Sequence, residues 1–166
     1  MILVFLTGCG IYNLNYFVMP DDSEFLALVQ ELDTPRKICQ YMTDNFIYEQ
    51  HILNILNPYQ LYIKRKGDCD DFANFAQFIA NYHNYKTYLV EICYSNYPYK
   101  HYIVIYEENG FYNFSDNQIY ILVNYDNIPD IVKLDIQWHY NFYGHIWSSY
   151  TVYDYDNNII ENITSP

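Results

Sequence analysis

The apolar residues between positions 22 and 84 recur at intervals of three and four. Phe25, Leu26, Leu28, Val29 and Leu32 form one such stripe, and Ile38, Tyr41, Met42 and Phe46 a second. A stripe of this period marks the buried face of an amphipathic helix. Between the two, Thr34-Pro35 restarts the pattern, because Thr caps a helix start and Pro suits the first helical position. Residues 22–48 are therefore predicted as two helices, or as one broken at Pro35. Residues 49–66 read as irregular and polar, with Asn57-Pro58 as a turn. The next helix is predicted to start near residue 68, where Phe72, Phe75, Ala76, Ile79 and Ala80 share one face. Asn84 is placed to end it in a left-handed cap.

From Lys86 the period changes to two. Tyr88, Val90, Ile92 and Tyr94 alternate with polar or small residues, which predicts a strand that Pro98 ends. Residues 101–107 and 111–116 are two further strands, joined through Asn109-Gly110, a strong hairpin signal. Residues 119–123 extend or follow the last of these. Residues 124–166 carry Pro129 and the aromatics Trp138, Tyr140, Phe142 and Trp147, and close on a hairpin around Asp156-Asn157-Asn158. Helices first and strands after them define an α+β class. At 166 residues, the expected organisation is an apolar segment over 1–20 and a single domain over 21–166. Within that domain the core covers about 30–122, and 124–166 is an aromatic extension.

Composition narrows the partners. Half of the residues are hydrophobic and a fifth aromatic, which argues against disorder. The net charge is −12, and the one cationic cluster, Lys64-Arg65-Lys66, is followed at once by Asp68, Asp70 and Asp71. A nucleic-acid binder needs a basic surface to neutralise phosphates, so nucleic acid is not expected as a partner. Cys9, Cys39, Cys69 and Cys93 include no Cys-x-x-Cys pair, so neither a zinc site nor a disulfide framework is expected. His51, His83, His139 and His145 have no helical metal-ligand spacing between them, and ordinary surface or core contacts are expected for them. No cofactor or metal is therefore predicted. Leu6-Thr7-Gly8-Cys9 resembles a bacterial lipobox but lacks a charged leader. Two readings stay open: an anchor at the cell envelope through lipidated Cys9, or an apolar segment of a cytoplasmic protein. A membrane is a partner only under the first. The sequence carries no signal for oligomeric state.

The candidate chemistry centres on Cys69, in the first turn of its predicted helix. Backbone N–H groups and the helix dipole there favour a thiolate, although Asp70 and Asp71 oppose it. A cationic partner is needed, and in thiol enzymes that is a histidine oriented by a third group. His101 and Asp116 meet the geometric requirement. With a two-residue loop at Asn109-Gly110, Glu108 pairs with Phe111 and Ile103 lies opposite Asp116. His101 and Asp116 are then diagonal neighbours on one face. A four-residue loop places them directly opposite each other, and a three-residue loop puts them on opposite faces.

Gly67-Asp68-Cys69-Asp70-Asp71-Phe72-Ala73, followed by His101 and, after a hairpin, Asp116, resembles the transglutaminase-like superfamily of cysteine enzymes. Thr34 through Ile38 and Asn45 through Tyr48 resemble the helix that precedes the core of that superfamily. The resemblance implies a papain-like core, with a Cys-bearing helix packed on an antiparallel sheet that carries His and Asp. It also implies acyl transfer through a thioester, on a peptide or carboxamide substrate, to water or to an amine. Tyr48 and Gln50 are candidates by position for the side-chain donor of an oxyanion hole. Ile103 stands where members often carry an aromatic residue, and Asn84 where they often have Gly. The other expectation is a catalytically silent peptide- or protein-binding module on the same scaffold.

Overall fold

The computed structural model describes residues 17–51 and 55–166. Cys9, and with it the lipobox-like stretch, lies outside the described residues. Helix α1, Ser23–Glu31, starts at Asp22, whose carboxylate accepts from the backbone N–H groups of Glu24 and Phe25. Helix α2, Pro35–Asn45, is capped by Thr34 with Pro at its start, so the break predicted at Thr34-Pro35 is observed. Strand β1, Ile47–Tyr48, pairs in parallel with β2, Lys66–Gly67. Between them lies helix α3, Pro58–Lys64, which corrects the expectation of an irregular stretch. Asn57-Pro58 is its cap and first position rather than a turn. The Asn57 side chain accepts from Gln60 N–H at 2.8 Å, and the Gln60 side chain accepts from Asn57 N–H at 3.0 Å.

Helix α4, Cys69–Tyr82, carries the predicted stripe. Phe72, Phe75, Ala76 and Ile79 are fully buried. Burying a large side chain of this kind is worth about 1.5–3 kcal/mol, so the stripe decides which face of α4 is inside. Asn84, just past the helix, has φ 65°, the left-handed conformation expected of it.

Beyond α4 come β3 (Lys86–Tyr94), β4 (His101–Glu108), β5 (Phe111–Asp116) and β6 (Ile119–Tyr125). Helix α5 (Ile128–Tyr143) and the hairpin of β7 (Trp147–Asp154) and β8 (Ile159–Thr164) complete the chain. The six long strands form one antiparallel sheet in the order β6-β5-β4-β3-β7-β8. The residues read as an extension are thus part of the fold: β7 pairs with β3, and α5 is a helix that the reading of the tail did not contain.

The sheet is covered on both faces. Leu89, Tyr102, Val104 and Tyr106 point into a core shared with α1 to α4. Val90, Ile92, Ile103, Ile105 and Phe114 point into a second core, with Ile131 and Val132 of α5. Two covered faces explain why β4 is apolar at every position from Tyr102 to Tyr106. A Cys-bearing helix packed on an antiparallel sheet is thus the architecture, as the α+β, papain-like expectation had it. Among the described residues, no helix is long and apolar enough to cross a membrane.

Candidate active site

The start of α4 is fixed by a knot of local hydrogen bonds. Asp71 is fully buried and accepts from Leu56 N–H at 2.6 Å, from Asp68 N–H at 3.1 Å and from the His51 ring at 2.6 Å. Asp68 in turn accepts from the His51 backbone N–H at 3.1 Å. Gly67 leaves no room for a side chain: a Cβ there would lie 2.5 Å from the Asp71 carboxylate and 2.8 Å from Leu61. Gly67, Asp68 and Asp71 therefore set the entry angle of the chain and make Cys69 the first helical residue.

Cys69 is partly exposed, and its Sγ lies 3.8 Å from the Lys100 carbonyl oxygen. The next residue, His101, opens β4 and is buried. The β4–β5 hairpin has the two-residue loop and the predicted register, with Glu108 opposite Phe111 and Ile103 opposite Asp116. His101 and Asp116 consequently share a face, and His101 Nε2 lies 3.0 Å from Asp116 Oδ1. The contact is close but off the direction of the ring N–H, so Nε2 is without a directed hydrogen-bond partner. Asn117 donates to the same carboxylate oxygen at 2.9 Å. Cys69, His101 and Asp116 are thus brought together. They meet at the end of the sheet: α4 packs on the face of Tyr102 and Val104, whereas His101 and Asp116 belong to the α5 face.

The electrostatics favour a charged imidazole. Burial works against His101 as a cation, but its contacts with Asp116 and Cys69 and the charge of Asp135 hold it well above the ordinary histidine value. Asp116 is also penalised by burial, yet His101 brings its carboxyl below the ordinary range. Of the carboxylates beside the thiol, Asp70 is pushed up to about 9, by burial and then by Asp68. It is uncharged near neutrality, which removes one charge expected to oppose a thiolate.

Tyr48 sits opposite Gly67 in the short parallel pair and rests against Phe72. Its hydroxyl is held above the usual phenol value by burial and by the neighbouring Cys69 and Asp68, so it is a donor. Tyr48, at 51% exposure, and Gln50 are both open to solvent. Cys39 is buried, and burial pushes its thiol up to about 12.

Two residues at the site escaped the sequence reading, because both lie on α5. His139, expected to make an ordinary contact, packs its ring 4.3 Å from that of His101. Asp135 is fully buried beside it, and neither of its oxygens has a hydrogen-bond partner among the described residues. Burial, and then the charge of His101 against it, bring His139 down to about 4. Burial pushes Asp135 up to about 7, with His101 opposing. The available signal was the Asn127-x-x-Asp130 cap followed by Ile128, Ile131, Val132, Asp135 and His139 at helical spacing. The remaining histidines do as expected: His83 meets the Val29 carbonyl at 2.7 Å, and His145 stacks on Tyr97.

A family model described as a transglutaminase-like domain matches residues 23–139. No curated protein matches at a significant level. Among solved structures, the chain is similar to a "Putative Cysteine Protease" from Cytophaga hutchinsonii, with 13% identity and a TM-score of 0.45. The similarity covers 60% of this chain and 44% of that one.

Proposed function

The chain belongs to the transglutaminase-like domain family, and from that premise we propose that it is a cysteine-nucleophile acyl-transfer enzyme acting on amide bonds. The substrate class is a peptide or a glutamine-type carboxamide, and water is the favoured acceptor. The observation that carries this reading is the meeting of a helix-start thiol with a buried imidazole held in its charged form by a carboxylate.

The steps follow from those three groups. Cys69, as thiolate, attacks the carbonyl carbon, and the oxyanion forms near the Cys69 backbone N–H at the start of α4. Both side-chain candidates are exposed, and Tyr48 is favoured as the donor because its phenol stays protonated beside Cys69. His101, as imidazolium, gives its proton to the leaving amine, and a thioester remains on Cys69. His101 then takes a proton from water, the hydroxide attacks the thioester, and the carboxylate product leaves. Asp116 orients the ring and stabilises its cation. Hydrolysis is favoured over transamidation because Cys69 is partly open to solvent.

The second reading, a silent peptide- or protein-binding module, draws on one observation: Nε2 of His101 is sealed under α5 without a directed partner. Thiol labelling separates the two. An activated Cys69 reacts with iodoacetamide faster than Cys39 and Cys93 at neutral pH. Cys69→Ser abolishes the fast phase and turnover of a peptide library. Equal, slow labelling of all the cysteines with an ordinary thiol profile overturns the enzyme and leaves the module.

A further inference from the structure

On the α5 side of His101, four side chains from three elements converge. They are His101 of β4, Asp116 of β5, and Asp135 and His139 of α5, and each offers one ligand atom within 4.8 Å of all the others. Two imidazole nitrogens and two carboxylate oxygens form a donor set that suits zinc and neighbouring divalent transition metals. Tetrahedral zinc with bonds of about 2.0–2.1 Å needs ligand atoms about 3.3 Å apart. The His101 Nε2–Asp116 Oδ1 distance of 3.0 Å and the His139 Nε2–Asp135 Oδ2 distance of 4.0 Å bracket that value.

Asp135 supplies the independent observation. It is fully buried, and among the described residues both carboxylate oxygens lack a hydrogen-bond donor. Buried carboxylates are ordinarily hydrogen-bonded, paired or on a metal. His101 Nε2, facing the same space, is also without a directed partner. Asp135 and His139 stand four residues apart on one helix, so both project from the same side of α5. Nδ1 of His139 lies 3.4 Å from Nδ1 of His145. A proton shared there leaves the Nε2 lone pair of His139 for a ligand, the outer contact that metal-binding histidines make.

The geometry points to a divalent transition-metal site, fitted to zinc, formed by His101, Asp116, Asp135 and His139. It departs from the sequence expectation of no metal, which did not include a carboxylate–histidine pair four residues apart on a helix at 128–143. One consequence rests on the proposed function. A metal on Nε2 takes the position of the proton that completes the imidazolium, and it draws Asp116 away from the ring. His101 can then no longer cycle a proton, so the metal-loaded protein is a resting form that a chelator reactivates.

The test is titration of zinc chloride into the metal-free full chain, followed by calorimetry. One equivalent is expected to bind the wild type and Cys69→Ser alike, while Asp135→Asn and His139→Gln each weaken binding by about 100-fold or more. Circular dichroism checks that each variant is folded, and His139→Gln carries the test should Asp135→Asn not fold. Cobalt(II) in place of zinc should give a four-coordinate spectrum with no thiolate-to-metal charge-transfer band. Three outcomes overturn the site: no binding to the wild type, binding that survives both α5 substitutions, or binding lost in Cys69→Ser. Loss in His51→Gln alone would also overturn it, by moving the metal to the other side of Cys69. Because zinc affinity is read in Cys69→Ser, which cannot turn over, the site stands or falls separately from the enzyme reading.

Discussion

Two clusters of histidine and aspartate flank Cys69, and they are alike in composition and unlike in construction. His51, Asp68, Asp70 and Asp71 gather on one side, and His101, Asp116, Asp135 and His139 on the other, each set with ligand atoms within 4.8 Å of one another. In the first, Asp71 accepts from two backbone N–H groups and an imidazole, and Asp68 accepts from a third backbone N–H. In the second, both oxygens of Asp135 lack a donor among the described residues, where Asp68 lacks one at Oδ1 only. The first is local, built within residues 51–71, and holds a loop to a helix. The second is drawn from β4, β5 and α5. A buried carboxylate fed by backbone donors fixes a conformation. One without donors is a cost to the fold, and it marks a place where something other than folding sets the residue.

The contrast breaks most readily on activity. His101→Gln is expected to lower kcat/KM by about 10⁴-fold in a protein that still folds by circular dichroism. Should this variant turn over within tenfold of the wild type on a peptide library, the sheet-side cluster has no chemical role and the comparison fails.

Stability tests the other half. Asp71→Ala leaves the N–H groups of Leu56 and Asp68, both buried, without an acceptor. A loss of about 2–5 kcal/mol in denaturant unfolding is expected, with turnover per folded molecule reduced less than tenfold. An Asp71→Ala protein of unchanged stability and abolished turnover would show that both clusters serve chemistry. Gly67→Ala sharpens the same point more gently. Its Cβ must displace the Asp71 carboxylate or Leu61, an overpacking worth about 1–3 kcal/mol.

The same contrast explains what could be read from the sequence. The break at Thr34-Pro35, the Cys69 helix and the β4–β5 register were legible because each is written in adjacent residues: a cap, a stripe, an Asn109-Gly110 turn. Register then placed His101 beside Asp116 without further information. Helix α3 was not legible, since seven residues are too few for a period and its capping box looked like a turn. Helix α5 was hidden for a physical reason: its inner face carries the buried Asp135 and the partly buried His139, and polar residues there erase the pattern that marks a helix. What the site adds to the fold is what removed it from view.

Asp135 itself gives the finest test, with pH as the variable. Its carboxyl is pushed up to about 7, by burial above all, whereas an unfolded aspartate titrates near 3.9. The folded protein therefore holds this proton longer than the unfolded chain does. Stability is highest below the unfolded value and falls as pH rises from about 4 to about 7, after which the loss is complete. Asn cannot ionise, so in the presence of a chelator Asp135→Asn is expected to match the wild type near pH 4 and to be more stable at pH 8, by on the order of 2–4 kcal/mol. Omitting the chelator and adding zinc should reverse the order at pH 8, because only the wild type gains binding free energy. A variant less stable than the wild type at pH 8 in chelator would mean that the carboxylate has a favourable protein partner after all, and the two clusters would then differ only in position.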